Sequence, residues 1–294
     1  MTLIPPLRHF AKALRIARAV GTDPVESWFL LQSKLAERAE VAELPCAYQV
    51  DPHWEARLPM MFGTGANEGV LNEFWPIWFE TLNELAARGM QVGPANYGIY
   101  NDGDPAFVRA LWFLVRHLRP AKVVETGVAH GLTSRFILEA LGRNGTGHLW
   151  SIDLPPLLQP ELARRVGAAV DQRHRNRWSL IRGSSRRRLP RLLEQIGPID
   201  LFVHDSRHSE SNVRFELDLA WAATRPGMAL VVDDIDLNWG YRSFVQANRC
   251  CQFLCCPAEP VRPDPGPRFD GRGLFGIIRK GNPSQRLSPR SSVI

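Results

Sequence analysis

Residues 123–134 read V-V-E-T-G-V-A-H-G-L-T-S. The apolar run AKVVE has the length of a short buried strand, and the residues after Gly131 begin a helical pattern, so the stretch reads as strand, tight turn and helix. Gly127 and Gly131 are expected to let the backbone turn sharply and approach a ligand, since neither carries a Cβ. The helix beyond them offers unpaired N–H groups and the positive end of its dipole to an anionic group. The hydroxyls of Thr133 and Ser134 could add hydrogen bonds. A single glycine precedes a four-residue step to the next and the third glycine is missing, so this is not the G-x-G-x-x-G of pyrophosphate sites. A carboxylate or aminoacyl group suits the turn better.

Working outward, the chain from Asp104 alternates helix and strand. Asp104 is placed to cap a helix over PAFVRALWFLVRHL, with Pro105 at its first position and Pro120 as its stop. Short apolar runs follow, HLWSID, WSLIRG, IDLFVHD and MALVVDD, separated by helical segments. Such runs between helices predict a parallel sheet covered on both faces. At the end, CQFLCC and LFGIIRK are joined by a proline- and glycine-rich loop with no helix, so these two strands can pair antiparallel.

The first hundred residues read as helices. LRHFAKALRIARAV is a basic amphipathic helix rather than a transit peptide, and Thr22 or Asp23 caps the next, which carries VESWFLLQSKLAERAE. An aromatic-rich helix spans roughly 67–88, kinked or divided at Pro76. GPANYGIYNDGD is expected to be a loop. The apolar share of 45% and charged share of 22% are ordinary for a globular chain. No apolar run approaches the ~20 residues that span a bilayer, so a cytoplasmic location with no membrane partner is expected. The cluster Cys250, Cys251, Cys255 and Cys256 lies on one predicted strand, whose neighbours point to opposite faces; buried reduced thiols fit it better than a zinc site.

The net charge of +6 owes much to arginines between Arg164 and Arg191. They read either as a nucleic-acid patch or as a solvated face.

Chemistry concentrates at the ends of the predicted strands. In an open α/β sheet ligands bind beyond the carboxyl ends. Asp153, closing WSID, can accept hydrogen bonds from both hydroxyls of a ribose, or it caps the next turn. Ser184, in R-G-S-S, faces an adenine edge or caps a helix. Two further tips carry H-D-S-R-H (204–208) and V-V-D-D (231–234). Asp205, Asp233 and Asp234 would converge if those strands are neighbours, and three carboxylates repel unless a cation or protons intervene. Oxygen ligands suit magnesium. The alternative is that each aspartate caps a helix. His208 could act as general base, and His204 reads as a satisfied buried histidine.

Together the glycine loop VETGVAHGLTS, the acid of WSID, the strand DLFVHDSRHS and the segment LAWAATRPGMALVVDDI resemble the class I S-adenosylmethionine (SAM) dependent methyltransferases, and more narrowly a bacterial small-molecule O-methyltransferase-like group with HDSxH and DDI motifs. The resemblance covers roughly 102–280. It implies a Rossmann-like α/β fold with a seven-stranded, mostly parallel sheet in order 3-2-1-4-5-7-6, helices on both faces and strand seven antiparallel. The expected organisation is an N-terminal helical extension over 1–103, the SAM-binding domain over 104–280 and a tail over 281–294. The resemblance implies that Glu125, Gly127 and Gly131 line the methionine portion of SAM, with His130 also among the cofactor-binding residues and Thr133 or Ser134 near its carboxylate. Asp153 would hold the ribose, Ser184 would lie near the adenine and Asp205 near the sulfonium. Similarity to divalent-metal-dependent O-methyltransferases adds Asp205, Asp233 and Asp234 as magnesium ligands. Those enzymes often have a lysine after the first aspartate; here His208 stands in as base.

The expected activity is O-methylation of a small hydroxylated molecule, catalysed by Asp205 and His208, with Tyr97 and Tyr100 closing over the cofactor and a homo-oligomer allowed. The alternatives are an RNA methyltransferase using residues 164–191 and a non-catalytic SAM-fold binding protein. The arginines flank the edge strand, away from where an acceptor would sit, which disfavours nucleic acid.

Overall fold

The computed structural model describes residues 23–40, 48–65, 68–97, 100–154, 159–248, 251–261 and 273–281. The basic helix expected before residue 23, Cys46, Cys250, most of the proline-rich loop and the tail lie outside these. Helix α1 (Pro24–Ala39) starts where Asp23 accepts the Glu26 N–H at 2.9 Å, with Pro24 in the first turn. Helix α2 (Trp54–Phe62) stops at Gly63, which takes the left-handed conformation at φ 69°. Helix α3 (Glu68–Ala87) runs through Pro76 as one element rather than two. The stretch expected to be a loop instead forms a short antiparallel hairpin, β1 (Gly93–Tyr97) with β2 (Tyr100–Asp102). Its glycines and asparagines read as loop locally, and pairing across the turn overrides that preference.

Helix α4 (Pro105–Leu118) is capped as anticipated: the Asp104 carboxylate accepts the Ala106 N–H at 2.8 Å. The alternating unit follows: β3 (Lys122–Thr126), α5 (Leu132–Asn144), β4 (His148–Asp153), α6 (Pro160–Ala163), β5 (Trp178–Arg182), α7 (Ser185–Ile196), β6 (Ile199–His204), α8 (Glu210–Ala223), β7 (Thr224–Val232), α9 (Gly240–Ala247), β8 (Cys251–Pro257) and β9 (Leu274–Lys280). The sheet order is β5-β4-β3-β6-β7-β9-β8. Strands β3 to β7 are parallel, and β9 is antiparallel to both its neighbours. Renumbered from β3, this is 3-2-1-4-5-7-6. Arg225-Pro-Gly227 lies within β7, where the pairing with β6 is irregular.

The sheet's period-two alternation divides the core between its faces. Val123, Leu201 and Val203 pack on one side with α2 to α5. Val124, Phe202 and Leu230 pack on the other with α7, α8 and α9. Helices α2 and α3 share the first core: Phe74 and Trp78 lie 5.1 and 5.5 Å from the Phe136 ring of α5. Buried Arg109 of α4 pairs with Glu55 and with Glu259, the latter at 2.7 Å. Among the described residues no helix is long and apolar enough to cross a membrane. Cys255 and Cys256 are free and buried, Cys251 is buried, and burial pushes the Cys255 thiol up to about 12.

Helix α1 packs against α7 and α8 and supplies what their N-termini lack. Glu26 Oε1 accepts the Ser184 N–H at 2.9 Å, and the two oxygens of Glu40 accept the Glu210 and Ser211 N–H groups, each at 2.9 Å. Ser209, at the N-cap of α8, makes no side-chain capping bond, so Glu40 satisfies donors that would otherwise be orphaned. Glu40→Ala is expected to lower stability by about 1 kcal/mol, the usual worth of a helix cap, in urea denaturation.

Candidate active site

The predicted turn residues meet at the carboxyl edge of the sheet, beyond β3, β4, β6 and β7. Glu125, near the end of β3, is fully buried. Its Oε2 accepts hydrogen bonds from the Ser134 and Ser151 hydroxyls, both at 2.6 Å, while Oε1 has no protein partner. Burial raises its pKa to about 7 against the pull of those two hydroxyls. Ser134, expected to serve a ligand carboxylate, therefore spends its proton on Glu125. Thr133 is buried on the same first turn of α5.

Gly127 and Gly131 have positive φ, 86° and 83°. Their close approaches are to the protein's own backbone. A Cβ on Gly127 would lie 1.8 Å from the Asp205 carbonyl oxygen, and one on Gly131 would lie 2.8 Å from Gly167 Cα. The glycine loop thus presses on the loops after β4 and β6. The Gly167 and Ala169 N–H groups donate to Ala129 and His130 carbonyls at 3.0 and 2.8 Å. Gly131→Ala combines left-handed strain with that contact and is expected to cost about 2 kcal/mol, read as a fall in Tm. His130 is buried with its ring 5.0 Å from that of Tyr97, whose hydroxyl donates to the Leu162 carbonyl at 3.1 Å.

Asp153 ends β4. One of its carboxylate oxygens, Oδ2, is buried with no protein partner, and burial raises the pKa to about 7 although Arg182 opposes it. An acid with an idle buried acceptor oxygen is the kind of group a ligand hydroxyl satisfies. Ser184 occupies the N-cap position of α7, but its hydroxyl is buried without a partner and makes no cap; its N–H is held by Glu26.

The tips of β6 and β7 bring His208 between two carboxylates. Its Nε2 lies 3.9 Å from Asp205 Oδ1 and 3.6 Å from Asp234 Oδ2. Burial lowers the His208 pKa more than Asp234 raises it, so the imidazole is neutral at pH 7. Asp233 is pushed well up, first by burial and then by Asp234, Asp205 and Asp104. Asp234, after β7, makes no side-chain capping bond: it precedes a single 3-10 turn, Ile235–Leu237, and its φ of 51° is left-handed. Among the described residues no three His, Cys, Asp or Glu side chains come together at ligand spacing. The imidazole stands beside Asp205 and Asp234, and the charge on Asp233 is relieved by a raised pKa.

Two residues here carried no signal in the sequence. Glu216 sits in the helical run ELDLAW of α8, where an acid reads as solvent-facing, yet it is fully buried. Its Oε2 lies 2.7 Å from Nδ1 of fully buried His204, and this pair, with other hydrogen bonds, holds its pKa down to about 2 despite burial. Asp104, predicted only as a cap, is buried with Oδ2 lacking a partner and has its pKa raised by burial to about 7.

The arginines of 164–191 are largely used internally. Arg177 donates to the Gly145 and Gly147 carbonyls, Arg182 to Ala163, Arg186 to Ser211 and Arg188 to Arg182, while Arg187 pairs with Asp23 at 2.7 Å.

Sheet order and glycine turn are those of the Rossmann-like methyltransferase fold. In agreement, residues 124–235 match the family described as a methyltransferase domain. Among solved structures, the chain is similar to the O-methyltransferase TomG from Streptomyces achromogenes, involved in tomaymycin synthesis and solved with SAM. The identity is 14%, covering 79% of this chain and 97% of TomG, with a TM-score of 0.50. An O-methyltransferase from Bacillus cereus solved with SAH is 13% identical, covering 78% of this chain and 98% of its own, with a TM-score of 0.48. No curated protein matches the chain significantly.

Proposed function

We propose that this protein transfers the methyl group of SAM to a hydroxyl of a small molecule, with His208 as general base. The observation that carries the reading is Asp153: a half-buried carboxylate at the tip of the second strand whose buried Oδ2 is unused. Such a group fits a ribose, whose hydroxyls would donate to it. The idle Oε1 of Glu125 fits the same ligand as an acceptor. Bound SAM supplies an electrophilic methyl on a sulfonium. Glu125, His130 and the glycine loop hold its amino-acid end, and Asp205 lies toward the acceptor.

His208 takes the proton from the acceptor hydroxyl onto a ring nitrogen. Its low pKa leaves it neutral and able to do so. Asp205 and Asp234, within 4 Å of Nε2, then stabilise the imidazolium. The O-methyltransferase description of TomG supports oxygen as the acceptor atom. The internal use of the arginines supports a small molecule over RNA. Calorimetric titration of S-adenosylhomocysteine with and without magnesium tests the reading: binding independent of magnesium is expected, and no binding by the folded wild type overturns it.

A further inference from the structure

We infer that Glu216 is a positioning residue that locks the cofactor loop and the base-bearing segment into one unit. The inference rests on the methyltransferase reading above. Both oxygens of Glu216 are engaged, and the donors come from both loops of the site. Oε2 accepts from the Thr126 hydroxyl at 2.5 Å and faces His204 Nδ1 at 2.7 Å. Oε1 accepts from the Ser206 hydroxyl at 2.8 Å and from Asn212 Nδ2 at 2.9 Å. Thr126 directly precedes Gly127 of the cofactor loop. His204 and Ser206 flank Asp205, and Ser206 is two residues before His208.

With Nδ1–H given to Glu216, His204 is held in a single tautomer, and its ring meets that of His208 edge-on at 5.5 Å. The two loops also touch directly: Asp205 N–H donates to the Thr126 carbonyl at 2.8 Å, beside the Gly127 contact. Glu216 therefore pins from beneath the junction where methyl donor and base must be aligned. Asn212 donates as well to the Arg207 carbonyl at 3.2 Å, extending the same network along the 205–208 segment. A carboxylate that served packing alone would not need to be ionised in a fully buried place. Here the cost of burying the charge is offset by charge-assisted bonds to both loops.

The test uses the full chain and two readouts. Long-range nitrogen–proton spectra of the histidine side chains report the His204 tautomer, and calorimetry with S-adenosylhomocysteine reports the cofactor loop. In the wild type, His204 is expected to show only the Nδ1–H form. In Glu216→Gln that signature is expected to disappear, and affinity is expected to fall about tenfold, the scale of coupling within one hydrogen-bond network, although Glu216 touches no ligand. Glu216→Asp should recover part of both, since the charge remains. Thr126→Val, which removes a single bond to the hub, should lower affinity in the same direction with the tautomer kept, and serves if the Gln variant does not fold. An unchanged tautomer and affinity in a folded Glu216→Gln protein would overturn the inference, as would an affinity loss that merely tracks the unfolded fraction. A wild type that shows the tautomer but binds no S-adenosylhomocysteine would overturn the methyltransferase reading, and the positioning role with it.

Discussion

Asp153→Ala is expected to weaken S-adenosylhomocysteine binding by about 10²–10⁴ at pH 8, measured by calorimetry, while the protein stays folded. Two hydroxyl bonds to an ionised acceptor are each worth about 1.5–3 kcal/mol, and nothing else at the tip of β4 can replace them. Asp153→Asn separates charge from shape. The Asp153 carboxyl has a folded pKa near 7, above the 3.8 of a free aspartate, so the folded protein holds a proton that the unfolded chain has released between those values. The stability this gives is fully present below pH 4 and is lost as pH rises through 7. The ligand-free Asn variant should therefore match the wild type in Tm near pH 4 and exceed it increasingly toward pH 8. Cofactor affinity of the wild type should rise over the same interval, as the acceptor form becomes populated. An Asn variant that binds as tightly as the wild type at pH 8 would remove Asp153 from the cofactor site.

His208→Gln is expected to reduce turnover by 10²–10⁴, the usual range for removing a positioned base, with S-adenosylhomocysteine affinity kept within about twofold. The separation follows from its position: His208 lies between Asp205 and Asp234, on the acceptor side of the site rather than beside Asp153. Because burial depresses its pKa below 6.5, the wild-type rate should hold through neutral pH and fall only in the acid range, as the imidazole gains a proton. The measurement is methyl transfer to hydroxylated small molecules, followed as S-adenosylhomocysteine release across pH. A variant that retains full rate would shift the base elsewhere, with Asp205 next in line. A rate restored or raised by magnesium in the variant would reinstate the metal-assisted route.

Much of the architecture was legible from local pattern. The strand-turn-helix at 123–134, the capped helix after Asp104 and the short apolar runs led directly to the observed sheet, because each rests on interactions within a few residues. Patterning also located the strand-tip acids, since strand ends can be counted from hydrophobic runs. The hairpin at 93–102 was read as loop because its glycines and asparagines favour turns, and the pairing that orders it spans the turn. Helix α3 continues through Pro76 although proline removes a helical donor, since the packing of Phe74 and Trp78 on Phe136 holds it in place.

By itself the sequence determined the order of elements, the glycine turn and which acids stand at which strand ends, all set by hydrophobic period and backbone chemistry. Only the tertiary structure decided what those groups do to each other. It packed Gly127 against the Asp205 carbonyl, gave the Ser134 hydroxyl to Glu125 and set His208 beside Asp205 and Asp234. It also brought Glu216 from a helix face to the junction of two loops, and Glu26 and Glu40 to helix N-termini more than a hundred residues away. Burial and long-range contact set pKa values and hydrogen-bond partners, and neither quantity is a property of neighbouring residues in the chain.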